Sequence, residues 1–296
     1  MRVLVIGATG LLGKVLMEEW DSDSVTGVGL EHVDICDESQ ISMLFRETRP
    51  DWTVLAAAYT DVDGCESNRT RAFQVNCFAA VNVAQEVARS NSKLLFISTD
   101  YVFDGAKNSP YETDDPVSPI SVYGQSKAEA ERLVRNILPD CCLVRTAWLF
   151  GTTGRCFPNK ILQLADTQSL LKVVQDQVGT PTFNRDLARA IVQLVRADAS
   201  GIVHVTNTGP CSWYEFAREV LKVGGYTRVE VEAICTENMP RPARRPKYSV
   251  LSSASADQHH ILMRPWREAL RDYFVERQYS AASVPVLAKI ANQKSC

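Results

Sequence analysis

"RVLVIGATGLLGKVLMEEW", residues 2–20, decides how the rest of the chain is read. Val3 to Ile6 form a continuous apolar run, the pattern of a strand buried on both faces. Gly7, Gly10 and Gly13 follow as G-x-x-G-x-x-G, and apolar residues then recur at helical spacing as far as Trp20. Glycines at a strand-to-helix turn allow a tight bend and a close backbone approach, and the helix start beyond them attracts an anion. Such a turn suits the pyrophosphate of a dinucleotide.

The same rhythm continues along the chain. "SVTGVGL" (24–30), "WTVLAAA" (52–58), "KLLFIST" (93–99) and "CCLVRTAWLF" (141–150) read as strands. Between them "ESQISMLFRETRP" (38–50) is a helix stopped by Pro50, and "RAFQVNCFAAVNVAQEVARS" (71–90) and "SVYGQSKAEAERLVRNIL" (121–138) are helices. "LKVVQD" (171–176), "NRDLARAIVQLVRA" (184–197) and "GIVHVTN" (201–207) extend the alternation. Apolar strands alternating with helices predict a doubly wound α/β fold with a parallel sheet, ligands lying at the strands' carboxyl ends. After about residue 207 the pattern changes to a helix at "SWYEFAREVLKVGG", a lone strand at "RVEVEAI", the basic loop "RPARRP" and a helix at "RPWREALRDYFVE". The expected division is a dinucleotide-binding part (1–147, 170–206 and 246–254) and a smaller, discontinuous α+β part (148–169, 207–245 and 255–296). The final "AASVPVLAKIANQKSC" shows no partner and is expected to be mobile.

Composition narrows the function. The chain has 296 residues, 45% hydrophobic and 23% charged, ample for a large core. A formal net charge of −3 argues against nucleic acid or acidic membranes as partners. The opening "MRVLVIGATG" is too short an apolar run for a leader, and no stretch is apolar for the roughly 18 residues a membrane span needs. A cytoplasmic protein is expected. Nine cysteines without a C-x-x-C pair, and four scattered histidines, predict buried thiols and no metal site.

The candidate cofactor residues follow from the first strand. Gly7, Thr9, Gly10, Leu11, Leu12 and Gly13 form the phosphate turn. Glu31, about 20 positions on, is placed to hold a ribose. Asp34 and Ile35 belong beside the adenine, and Ala57, Ala58, Tyr59 and Thr60 beneath the pyrophosphate and ribose. No Lys or Arg lies between Lys14 and Arg46, so nothing there selects a 2′-phosphate, and NADPH or NADH is expected. "ISTDYVFDG" (97–105) ends a strand with Ser98-Thr99, and Tyr123 and Lys127 then stand four apart, on one face of a helix.

A glycine-rich nucleotide turn, a Ser-Thr at a strand end and Tyr-x-x-x-Lys together resemble the short-chain dehydrogenase/reductases. Within them the chain resembles the dTDP-4-dehydrorhamnose reductase family. "GATGLLG", "AAYTDVDGCES", "STDYVFDG", "YGQSKAEAE", "RTAWLFG", "DQVGTPT", "SWYEFA", "RPARRPKYS" and "RPWREAL" carry the likeness, in order, from the first residues to about 276. The resemblance implies a reductase of the C4 carbonyl of a nucleotide sugar. Tyr123 would be its proton donor and Lys127 a holder of the nicotinamide ribose. Lys127 and the oxidised nicotinamide would also lower the tyrosine's usual pKa of about 10. Thr99 would bind the substrate's carbonyl oxygen, with Asp100 and Trp148 as substrate contacts. Arg244 and Arg245, beside Arg241 in a proline-bracketed loop, suit a diphosphate.

Some members of that family are dimers bridged by magnesium on glutamates. The corresponding places here are Val15 and Arg185, neither a magnesium ligand, which argues against that bridge; a monomer or homodimer is expected. "VDGCE" and Cys156-Phe157 also depart from the family's usual strings. Two rival readings are a nucleotide-sugar dehydratase or epimerase, and a non-catalytic subunit similar to the regulatory subunit of methionine adenosyltransferase. The absence of a glutamate after Thr99-Asp100 disfavours elimination, and the intact Thr99, Tyr123, Lys127 set favours an enzyme.

Overall fold

The computed structural model describes residues 1–20 and 24–278. At its centre lie six parallel strands: β1 (Arg2–Ile6), β2 (Ser24–Val28), β3 (Trp52–Leu55), β4 (Lys93–Thr99), β5 (Cys142–Thr146) and β6 (Gly201–His204). Their order across the sheet is β6-β5-β4-β3-β1-β2. The chain winds outward from β1 to β2, then returns to build β3 to β6 on the other side. The carboxyl ends of β1 and β3 therefore flank the switch in winding direction, where a doubly wound sheet opens a ligand crevice.

Seven helices matter below: α1 (Gly13–Glu18), α2 (Glu38–Thr48), α3 (Ala79–Ser90), α4 (Val122–Ile137), α5 (Phe157–Ala165), α6 (Asn184–Arg196) and α7 (Trp213–Val223). The period of two along β1 separates two cores. Val3 and Val5 pack with Leu16 and the α6 residues Leu187, Ile191 and Leu194. Leu4 and Ile6 pack on the opposite face with Ile41, Phe45, Val83, Val87 and Val134. Local chemistry marks the helix ends as the sequence predicts. Asp37 caps α2 by accepting from the amides of Ser39 and Gln40, and Arg49 closes it in a left-handed turn just before Pro50. Ser212 and Glu215 form a reciprocal capping box at the start of α7.

The remaining segments gather round a third, aromatic-rich core of Phe150, Phe183, Phe216, Trp266 and Tyr273. Here the structure departs from expectation. Leu170–Val174 does not extend the central sheet. It pairs in parallel with Glu230–Ile234, which is therefore not a lone strand. The physical sign was Lys172: Leu171 and Val173 turn inward while Leu170 and Lys172 stay exposed, so only one face is covered. Ala256 and Ile261, expected in the smaller part, instead join the core beneath β6, where Ser255 accepts from the His204 amide. The stretch "AASVPVLAKIANQKSC" lies outside the described residues. No helix among the described residues is long and apolar enough to cross a membrane.

One buried charge pair ties α4 to the sheet. Arg145 on β5 donates to both carboxylate oxygens of Glu131 on α4, from Nη2 at 2.7 Å and from Nε at 3.1 Å to the nearer oxygen. The two side chains are 3% and 6% exposed. Ser98 also donates to Glu131, and Arg145 Nη1 donates to the Thr113 carbonyl. The His204 ring closes the cluster: Nδ1 donates to the Tyr111 carbonyl, leaving Nε2 as acceptor beside Arg145. Burial and the Arg145 charge push its pKa down to about 3, so the ring stays neutral.

Breaking this pair from one side leaves a buried guanidinium unpaired. Glu131→Leu is expected to destabilise the protein by roughly 3–5 kcal/mol in urea denaturation. The double variant Glu131→Leu/Arg145→Met should lose less than that single variant. A single-variant loss below about 1 kcal/mol, the range of exposed pairs, would show that the pair is solvated.

Candidate functional site

The phosphate turn is shaped by two steric constraints. Gly7 has φ +97°, and a Cβ there would stand 2.6 Å from the Ala57 amide nitrogen. A Cβ on Gly13 would lie 2.0 Å from the Gly7 carbonyl oxygen. Helix α1 thus starts in contact with the turn, and no side chain caps its amino end. Gly10 is less constrained, with 3.3 Å to the same oxygen. The Leu12 side chain goes into the core, so only its backbone can face a ligand, and the Leu11 carbonyl accepts from Asn184.

Beside the turn lies a cavity of about 200 Å³ lined by Gly7, Asp34, Ile35, Ala57, Ala58 and Tyr59. These are residues the sequence put there. Glu31 and Thr9 crowd over Gly29, where a Cβ would meet either side chain at 2.5 Å. Thr60 is exposed and outside that lining. Arg71 is a residue sequence reasoning missed. It comes from the helical turn Arg69–Phe73, after β3, and brings a cation to a cavity whose second-strand loop has none. Asn76 was missed as well. Within a single π-helical turn (Gln74–Phe78) it accepts from the Tyr59 amide at 2.7 Å, and it donates to the Tyr59 carbonyl and to Ser126 on α4. It therefore locks the cavity floor to the helix bearing Tyr123.

That helix meets the end of β4 because of Gly124. A Cβ there would lie 2.2 Å from the Tyr101 carbonyl oxygen. Ser121 caps α4 by accepting from the Gly124 amide. Tyr123 then faces the Thr99 hydroxyl. Lys127, one turn on, is 2% exposed and donates to the Ile97 carbonyl at 2.7 Å, its ammonium 4.0 Å from the Phe96 ring centre. Thr99, Asp100, Tyr123 and Lys127 are therefore brought together as expected.

Their electrostatics differ from expectation. The Tyr123 phenol is pushed up, not down, because burial outweighs the hydroxyl of Thr99; Asp100 and Cys65 add to the rise. The Lys127 ammonium is turned to the sheet, on the Ile97 carbonyl. Burial lowers the Lys127 pKa to about 7 against the pull of Glu131. Burial raises Asp100 to about 7, opposed by the hydroxyls of Ser249 and Thr99. Asp100 is 2% exposed, and its Oδ2 has no hydrogen-bond partner.

The loops above complete the site. Trp148 is held at φ +46°, an uncommon backbone for a bulky residue, and its indole fills the space a side chain on Gly179 would need. Trp213 stacks on it, centroids 3.5 Å apart and planes within 6°, and covers one face of the indole. Arg245 does not wait free for a diphosphate. It donates to Asp63 at 2.6 Å and acts on the Tyr101 hydroxyl, while Arg241 approaches the same carboxylate and the Ala243 amide donates to it. Arg244 is exposed. Asp63, 182 residues from Arg245, gave no sequence signal. Of the two places where the family's bridged dimers carry glutamates, Val15 is buried in the core. Arg185 pairs with Glu18, Glu19 and Glu276.

A doubly wound sheet with this turn and this Thr-Tyr-Lys cluster defines a short-chain dehydrogenase/reductase. The family model described as "RmlD substrate binding domain" matches residues 1–279, and the chain belongs to that family. It is 39% identical over 278 residues to the spore coat polysaccharide biosynthesis protein SpsK of Bacillus subtilis, covering 93% of this chain and 98% of that one. A dTDP-4-dehydrorhamnose reductase from Clostridium acetobutylicum superimposes with a TM-score of 0.91 at 37% identity, covering 94% of this chain and all of that one. A dTDP-4-dehydrorhamnose reductase from Bacillus anthracis, solved in complex with NADP, gives 0.90 at 36% identity over 93% and 99% of the two chains.

The state of Asp100 has a consequence for stability. Its carboxyl is ionised above about 3.8 when unfolded but only above about 7 when folded. Between those values the native state binds more protons, so its contribution becomes less favourable as pH rises, reaching at most about 4 kcal/mol of cost above pH 7. Asp100→Asn removes this cost. The variant is expected to gain more stability over the parent at about pH 8 than at about pH 5 in urea denaturation. An equal difference at both values would mean that Asp100 is ionised throughout.

Proposed function

We propose that this protein reduces the C4 keto group of dTDP-4-dehydro-L-rhamnose to give dTDP-L-rhamnose, with NADPH or NADH as reductant. The observation that carries the reading is Tyr123 against Thr99, with Lys127 one turn on, beside a glycine cradle. It occurs in a chain similar over 94% and 93% of its length to two reductases of that name. The cradle fits the cofactor: Gly7 and Gly13 leave no room for side chains, so backbone amides can reach a pyrophosphate. When bound, the reduced nicotinamide supplies the hydride. Gly7 to Gly13 would hold its phosphates, Glu31 and Thr9 its adenosine ribose, and Asp34, Ile35 and Arg71 would enclose its adenine. Lys127 would hold the nicotinamide ribose, turning its ammonium away from the Ile97 carbonyl to reach it.

Tyr123 protonates the oxygen that forms at C4. Burial keeps its phenol protonated at neutral pH, ready to donate, and makes it a weaker acid than an exposed tyrosine. Trp148 offers its open face to the sugar, and the stack with Trp213 fixes its angle. Arg245 reaches the diphosphate while retaining Asp63, which pre-orders the guanidinium and limits the entropy lost on binding. We place the reaction in the cytoplasm, where the family's nucleotide-sugar chemistry belongs.

Mixing the protein with NADPH and dTDP-4-dehydro-L-rhamnose should consume the nicotinamide absorbance, and a flat trace with both NADPH and NADH would reject the reading. Tyr123→Phe is expected to bind NADPH normally but to lose roughly 10²-fold or more in turnover. Turnover within about twofold of the parent would remove Tyr123 from its role. Arg245→Ala should raise KM for the nucleotide sugar roughly 10- to 100-fold, the scale of one charged hydrogen bond, with KM for NADPH nearly unchanged. An unchanged KM for the sugar would mean that Arg245 only braces Asp63 and Tyr101.

A further inference from the structure

The short helix Val62–Ser67 carries two carboxylates that engage two separate parts of the site. Asp63 meets the arginine loop. It accepts from Arg245 Nη1 at 2.6 Å and from the Ala243 amide at 3.2 Å, and Arg241 stands 3.9 Å away. Glu66 meets the catalytic helix, accepting from the Val122 amide at 2.8 Å. Val122 opens α4 and immediately precedes Tyr123. Its amide is one of those a helix leaves without an internal partner, and a carboxylate suits the positive end of a helix. Ser121 serves the Gly124 amide instead, so Glu66 completes the cap from 56 residues away.

The helix between these two contacts has little room to give. Asp61 caps it by accepting from the Gly64 amide at 2.9 Å, and a Cβ on Gly64 would lie 2.4 Å from the Tyr59 hydroxyl. Cys65 is fully buried, in one cluster with Val122 and Tyr123. Just beyond, Arg69 donates to Gln125 at 2.7 Å, a second grip on the first turn of α4. The arginine loop also reaches that turn from the other side. Arg245 acts on the Tyr101 hydroxyl, and the Tyr101 ring meets that of Tyr123 edge-on, centroids 5.9 Å apart. Tyr123 therefore lies between two routes that start at Arg245. The guanidinium bonds to Asp63 and to the Ala243 carbonyl both leave from Nη1, so its other donors can take a diphosphate without releasing Asp63.

We propose that Glu66 is a positioning residue for Tyr123, passing the seating of a nucleoside diphosphate on the arginine loop to the first turn of α4. The inference rests on the reductase reading above. A diphosphate held by Arg245 draws the loop onto Asp63, the stiff helix fixes Glu66, and Glu66 fixes the amide next to the proton donor. Binding energy from the far end of the substrate is thereby used to place the reacting group. The diphosphate then raises turnover as well as affinity. A substrate without it would meet a Tyr123 whose helix start is held less firmly.

Two measurements test this coupling. The first needs no turnover: saturating dTDP should slow hydrogen exchange at the amides of residues 122–125 of the parent roughly tenfold or more. Glu66→Ala should bind dTDP as the parent does by calorimetry, yet show much less slowing there. Asp63→Asn loosens the opposite end, leaves the α4 cap intact and should lose the dTDP effect too, which keeps the test open if Glu66→Ala does not fold. A merely structural Glu66 would change exchange in the free protein and leave the dTDP-induced slowing as large as in the parent. The second measurement is kinetic. Glu66→Ala should lose roughly 10- to 100-fold in turnover on the nucleotide sugar with little change in either KM. Glu66→Gln, whose amide oxygen still accepts from Val122, should keep most of the parent's turnover. Bound dTDP without slowing in the parent, equal slowing in parent and variants, or an unimpaired Glu66→Ala would each overturn the coupling. A parent that binds no dTDP would instead remove the nucleotide-sugar reading and the coupling together.

Discussion

The site depends on how closely helix α4 can approach the end of β4. Gly124 permits that approach, since any side chain there would collide with the Tyr101 carbonyl. With the two backbones in contact, one helix face delivers three residues to three depths. Tyr123 faces Thr99 at the rim, Lys127 reaches the Ile97 carbonyl below, and Glu131 meets Arg145 deeper still. The spacing of four residues makes this a single rigid ruler. A shift of α4 by a fraction of an ångström would disturb the chemistry and the buried ion pair at once. The ion pair, worth little as net stability, serves to fix the register of the helix.

The cofactor end is built on the same principle of close backbone approach. Gly7 lies under the Ala57 amide and Gly13 under the Gly7 carbonyl, so turn, helix and third strand touch without intervening side chains. Asn76 then joins the floor of this cavity to α4, through Tyr59 on one side and Ser126 on the other. The nucleotide cavity and Tyr123 are thus held in one frame, as a transfer between a cofactor and a neighbouring substrate demands. The loops above are held differently, by the stacked indoles of Trp148 and Trp213 and by Asp63 gathering the arginine loop. Those contacts involve fewer backbone constraints and can adjust to a ligand.

Much of this was legible in the chain itself. Strands with two covered faces carry unbroken apolar runs, so β1, β3 and β4 could be read from the sequence. Helix limits were written in local chemistry, as with Asp37 and Pro50. Residues whose role is set by backbone proximity within one unit, such as Gly7, Gly13, Tyr123 and Lys127, were likewise readable. Long-range partners were not. Nothing near Arg245 announces Asp63, and Arg71 enters the nucleotide cavity from a helical turn well beyond the second strand. Leu170–Val174 was assigned to the wrong sheet because an apolar run does not name its partner, although Lys172 marked the exposed face. The direction of the Tyr123 shift was also beyond the sequence, because it turns on the burial of the phenol.

Burial explains why Lys127 and Asp100 have converged on neutrality. One is lowered and the other raised to about 7, each by loss of water and neither by the other's charge. In a polar site these groups would both be ionised at neutral pH, and counter-ions and water would share their fields. Here the surroundings of Tyr123 hold few fixed charges, so the charge that develops at a substrate oxygen is not damped by solvent. The same loss of water raises the energy of every ionised intermediate in the pocket.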